Sequence, residues 1–319
     1  MKRAALLLVL ACATCAAAAD RTVIRNATVH TMSDAGTLER ADIVIEGGRI
    51  TAIGPAASGP PGATVIDSAG KVVTPGFFGG IGYLGLQEIG LEPTAEDYAL
   101  RMDAMRPEFD VAPAYNADSV AIAVNRVDGV TFAVISPGAE SGQEGGPNGS
   151  IVAGQAAVVA LDGRTPLAPR ALLVDIGADT VRMAGGSRAA DFMLLRQAFA
   201  EARTPNTLLA HDERLLTPQG RQVLGDYLKG AGAFLFEVDR AADIRETLAF
   251  IRRENVPRAV IIGGAEAWRV GQELAAAKVP VVLDPLENLP AGFDSVGATL
   301  ENAADRKSTR LNSSHPYRS

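Results

Sequence analysis

Two acidic residues stand where a strand should end. Glu237 follows the apolar run AFLF, and Asp284 follows VPVVL. A carboxyl at the end of a buried strand is partly withdrawn from water, which raises its pKa and suits it to general acid or base work. For Glu237 a second reading stays open, a salt bridge to Arg240 or another arginine. Asp284 precedes Pro285, so binding a substrate competes with capping a loop. Tyr83 offers a hydroxyl that could hold a substrate, or a ring that packs. His211, in LLAHDERLL, is either a general base or lone ligand, or a solvent-facing histidine before a helix. The whole chain has three histidines, at 30, 211 and 315, and two cysteines, at 12 and 15. A transition-metal site needs several such donors converging, so no metal site is expected from the residues.

These groups need strands to carry them. Arg21 to His30 and Ala41 to Gly54 alternate apolar and polar residues, with Gly47-Gly48 as a hairpin turn, and Thr64 to Asp67 is a further short strand. After Pro75 the pattern changes to strands alternating with helices. Strands are expected at 131–135, 171–176, 233–238, 259–262 and 279–283. Helices are expected at 119–126, 187–203, 218–229, 243–254 and 266–278, with another beginning at 295. In the second helix Phe192, Leu195 and Phe199 share one face. Trp268 is expected in the core. Residues 88–115 read as a loop with short helices, 137–149 as a mobile Gly-rich loop, and 151–161 as a small hairpin insertion. Short apolar strands followed by helices predict a parallel sheet covered by helices.

The join between the two patterns is VVTPGFFGGIGYLGL, Val72 to Leu86, after GRITAIG and TVIDSAGK. This stretch resembles the start of the amidohydrolase superfamily. AFLFEVDRAADI (233–244), AVIIGGAEAWRV (259–270) and VPVVLDPLENLP (279–290) resemble its imidazolonepropionase-like branch. The resemblance covers about Thr22 to Ala304. It implies an α/β fold, a (β/α)8 TIM-like barrel, here incomplete with about seven strands, preceded by a small β-sandwich portion over 20–74. It implies hydrolysis of non-peptide C–N bonds, in amides or cyclic amides, at the C-terminal ends of the strands. The family binds zinc or another divalent ion there. Its acidic position falls on Gly79, and its histidine positions fall on Ile81, Tyr83, Glu237 and Gly263. Only Glu237 among these can bind a cation. The expectation is a degenerate metal site, with Glu237 catalytic and Tyr83 and Asp284 binding a small-molecule substrate. The alternative is a catalytically silent paralogue that binds a small molecule or a homologous subunit.

The composition fits a globular chain: 47% hydrophobic, 21% charged, formal net charge −7. Mild acidity, with aromatics at 5%, argues against nucleic acid as a partner. Lys2 and Arg3, the apolar Ala4 to Ala11 and the small residues to Ala19 read as a secretory signal, implying a periplasmic or secreted protein. That apolar run is too short to span a membrane. Val9 to Cys12 loosely suits lipidation at Cys12, and plain export is the reading taken. At the other end DRKSTRLNSSH (305–315) resembles a translated sequencing adapter. Residues 305–319 are accordingly read as non-native, and the barrel (75–304) as a fragment.

Overall fold

The computed structural model describes residues 21–302, except 56, 58, 91, 103, 104, 140–149, 165, 205–212 and 285–288. The signal-like segment, most of the Gly-rich loop, His211 and the adapter-like tail lie outside the described residues. The chain divides into two compact units, Met1–Gly76 and Phe77–Ser319.

The first unit is built on a five-stranded sheet. Its strands are β1 (Arg21–His30), β2 (Thr37–Glu46), β3 (Arg49–Gly54), β4 (Thr64–Asp67) and β5 (Val72–Val73), in the order β3-β2-β1-β4 with β5 also on β1. Gly47 and Gly48 have φ of 57° and 73°, the left-handed pair that a two-residue hairpin needs. Ala27, Val29, Ala41 and Ile43 form its buried cluster.

The second unit is built on a seven-stranded sheet. Its strands are β6 (Phe77–Gly82), β7 (Val130–Ile135), β8 (Val152–Ala160), β9 (Leu167–Asp175), β10 (Ala233–Val238), β11 (Ala259–Gly263) and β12 (Val281–Leu283). They lie side by side in chain order. The helices are α1 (Val120–Val127), α2 (Ala178–Met183), α3 (Arg188–Arg203), α4 (Pro218–Leu228), α5 (Ala241–Arg253) and α6 (Gly271–Ala277). Capping chemistry fixes several of their starts. Ser119 and Ser187 accept from backbone N–H groups at the heads of α1 and α3. Thr217 caps α4, whose first residue is Pro218, a position where the missing N–H costs nothing.

The sheet corrects one expectation. Residues 151–161 are not a hairpin insertion. They supply β8, a full member of the sheet, antiparallel to both β7 and β9. Only residues 161–166 separate β8 from β9, too few for the crossover of about a dozen residues that parallel pairing requires. The remaining neighbours run parallel. A second correction concerns 295 onward. Residues 292–301 form turns, and helical geometry begins only at Asn302 among the described residues. The helix expected over 266–278 is a 3-10 turn, Ala267–Val270, followed by α6.

The strands' alternation sorts side chains into two layers. Leu172, Val174, Phe234, Phe236 and Val238 face the helices, meeting Phe192, Leu195 and Phe199 of α3 and Phe250 of α5. Phe199 packs edge-on to Phe250 with centroids 5.0 Å apart. The opposite, inner layer holds Leu173, Leu235 and Ile262, with Ile81, Val134 and Val282 against them.

Candidate active site

Because β9 to β12 are parallel, their C-terminal ends open together at one rim. The registers place Asp175 of β9 opposite Glu237 of β10, Glu237 opposite Ile262 of β11, and Ile262 opposite Val282 of β12. Asp175 and Glu237 are therefore neighbours on the inner face, on strands about 4.8 Å apart. One pleat further along, Asp239 follows Glu237 and Asp284 follows Val282.

Glu237 is half-buried, as its place at the end of an apolar strand predicts. The Asp175 carboxyl is pushed well above the ordinary carboxylate range. Burial is the main cause, and the negative charge of Glu237 is the second. Asp239 is also raised, chiefly by burial. Backbone N–H groups of Ala265 and Gly264 oppose that rise, and the charges of Asp294 and Asp284 add to it. The rim thus carries Asp175, Glu237, Asp239 and Asp284 from three strand ends, with Asp294 from the segment after β12. A proton held at Asp175 relieves repulsion that would otherwise build across the pair.

The sequence points to Glu237 and Asp284 and passes over Asp175 and Asp239. A local signal exists: LLVDIG ends in an acid as FLFEVD and VVLDPL do. The adjacency of β9 and β10 has no such signal. Helices α2, α3 and α4 lie between those strands in the chain, so only the folded sheet makes Asp175 and Glu237 neighbours.

Tyr83 lies just after β6, its ring stacked on Tyr98 with centroids 3.8 Å apart. It also lines a cavity of about 290 Å³ with Gly79, Gly82, Gln87, Asn125 and Val134. Asp284 is exposed at the rim, near enough to Asp239 to raise it. Arg240 lies 4.0 Å from Asp243. Trp268 is half-buried rather than in the core, because its indole N–H reaches the Gly297 carbonyl at 2.8 Å. A larger groove of about 600 Å³ between α5 and α6 contains none of the rim residues.

The amidohydrolase resemblance implies a divalent ion held at positions 81, 83, 237 and 263. Ile81 packs in the inner apolar layer. Gly263 has φ +77°, and a Cβ there would lie 2.7 Å from Asp239 Oδ1. Asp239 is in turn held by the Ala265 N–H at 3.0 Å. Among the described residues no three His, Cys, Asp or Glu side chains form a group that could hold a metal ion. Ile81, Tyr83 and Gly263 supply no imidazole.

Asp191, at the start of α3, is fully buried, and its Oδ1 has no hydrogen-bond partner. Its pKa is raised from 3.8 to about 6, first by burial. Arg188 of its own helix and Thr180 of α2 pull it down, and Asp243 of α5 pushes it up. Asp175 of β9 also feels its charge. The folded value exceeds the unfolded one, so ionisation is penalised in the fold. Stability should fall as pH rises from about 4 to about 6, and level off above. Asp191→Asn is expected to match the parent near pH 4 and exceed it above pH 6 by about 1–3 kcal/mol. Urea melts at the two pH values check this.

No family model matches the chain, and no curated protein matches it. Solved structures do. An amidohydrolase from Thermotoga maritima MSB8 superposes with a TM-score of 0.79 at 22% identity, covering 92% of this chain and 77% of that one. N-isopropylammelide isopropylaminohydrolase from Burkholderia multivorans ATCC 17616 aligns at 15% identity with a TM-score of 0.43, over 92% and 73% of the two chains. The first likeness shows that the chain has the fold of that amidohydrolase. The second superposes too loosely to add to it.

Proposed function

We propose that this protein belongs to the amidohydrolase superfamily, in its imidazolonepropionase-like branch, and hydrolyses non-peptide C–N bonds of amides or cyclic amides without the family's ion. The fold likeness supports the family, and the segments at 233–244 and 259–270 support the branch. The observation that carries the chemistry is the register that sets Asp175 beside Glu237 at the strand ends. Asp175, its proton held by burial, acts as the acid. Glu237 acts as the base.

In the proposed reaction Glu237 takes a proton from water as the water oxygen bonds to the carbonyl carbon. Asp175 gives its proton to the departing nitrogen as the C–N bond breaks. The products are a carboxylic acid and an amine, and transfer of one proton from Glu237 to Asp175 restores the pair. Each such proton transfer is worth roughly 10²- to 10⁴-fold in rate. Tyr83 and Asp284 are proposed to contact the substrate from the rim. The N-terminal pattern supports an exported protein.

The test is a panel of amide, cyclic amide and dipeptide substrates, run before and after exhaustive dialysis against a chelator. Turnover that survives chelation is expected, with no stoichiometric zinc in the intact protein. Loss of turnover on chelation and recovery with zinc would overturn the metal-free reading. No turnover on any substrate would favour the silent paralogue, a reading supported by the missing imidazoles at 81, 83 and 263.

A further inference from the structure

The segment after β12 returns across the rim. Asp294 accepts from the Ala178 N–H at 2.6 Å, just beyond the end of β9, and pairs with Arg188 at the head of α3. Gly297 donates its N–H to Glu266 Oε1 at 2.7 Å and accepts from Trp268 Nε1 at 2.8 Å. Asn302 donates to the carbonyls of Gly264 and Ala265 at 3.0 and 3.2 Å, just beyond the end of β11. In the sheet β10 lies between β9 and β11. A chain anchored first beside β9 and then beside β11 therefore crosses the end of β10, where Glu237 and Asp239 stand. The Asp294 charge raises the pKa of Asp239, consistent with a position over that end.

The anchors are all polar. The large apolar side chains of this segment face water: Leu289 is 66% exposed, Phe293 91%, Val296 60% and Leu300 75%. A segment that buries none of its large apolar side chains and hangs on a few hydrogen bonds belongs to the low-stability end of a fold, where local opening is cheap. The Arg188 pair is the strongest anchor, because a hydrogen bond between two charged groups is stronger than a neutral one. Arg188 also holds Asp243 of α5 at 2.8 Å. One guanidinium thus ties the segment to two helix heads.

We propose that residues 289–302 form a strap over the candidate active site, latched by Asp294 on Arg188 and Ala178, whose opening controls access to Glu237. The inference rests on the preceding reading only for what the strap guards, and its test does not depend on turnover. The intact protein is treated with a water-soluble carbodiimide and a small amine, and labelled carboxyls are counted by peptide mass spectrometry. Amide hydrogen exchange is followed on the same samples. In the parent, Glu237 should label slowly and the amide of Gly297 should exchange slowly. Asp294→Ala should speed both at least severalfold while exchange in β9 and β10 stays unchanged. Trp268→Phe, which keeps an aromatic ring and loses the bond to Gly297, should do the same to a smaller degree and serves if the first variant fails to fold. Unchanged labelling of Glu237 in the folded variants, or parent Glu237 labelling as fast as the exposed Asp67, would overturn the strap. If the strap result holds and no substrate turns over, the proposed chemistry fails alone.

Discussion

Glu237→Gln is expected to lower kcat/KM by about 10²- to 10⁴-fold on any substrate the parent turns over, with the fold intact. Glutamine keeps the size and polarity of the side chain but cannot take a proton from water. The half-buried position accepts it, because a neutral amide is cheaper to bury than a charge. Asp175→Asn should show a loss of similar size, since an amide cannot protonate the leaving nitrogen. The double variant should be little worse than either single one, because partners in one step are not additive. The sign of the pH dependence follows from Asp175. Its raised pKa keeps it protonated to higher pH than an ordinary carboxyl, so the parent's rate should fall as pH rises through that value. Steady-state kinetics across pH, with circular dichroism to confirm folding, decide the matter. A Glu237→Gln enzyme with parental kinetics would remove Glu237 from the reaction.

Gly263→His is expected to destabilise the protein by about 2–3 kcal/mol, the sum of a backbone and a crowding cost, and to bind no zinc. The change restores the residue type that the family resemblance places there. The backbone at 263 has φ +77°, which costs a residue with a Cβ on the order of 1–2 kcal/mol. The Cβ would also stand 2.7 Å from the Asp239 carboxylate, which the Ala265 N–H fixes in place. Asp239 must move and give up that bond, for a further ~1 kcal/mol or more. Thermal melts and zinc titration measure both effects. A variant of parental stability that binds zinc stoichiometrically would show that the site needs only its imidazole back.

Legibility in the sequence varies by element. The strand at 233–238 and the helix over 188–203 show in their periodicity, because an apolar run and a 3.6-residue stripe mark burial directly. Glu237 and Asp284 can be picked out because an acid at the end of an apolar strand is a local feature. Asp175 ends its strand in the same way, but its importance comes from β10 beside it, and three helices intervene in the chain. The reversal of β8 escapes a reading by pattern because an apolar run carries no direction. The link at 161–166 does carry one, through its shortness, once the strands on either side are known to pair.

The sequence alone determined the amidohydrolase-like frame and the scarcity of imidazole and thiol, since both follow from residue types and their order. The tertiary structure decided which carboxyls meet. Register across parallel strands sets Asp175 against Glu237, and left-handed backbone with a crowding carboxylate reserves position 263 for glycine. Asp294 is held by the Ala178 N–H beyond β9, and Asn302 by the Gly264 carbonyl beyond β11. Each of these depends on distances between segments far apart in the chain, which only folding brings within reach.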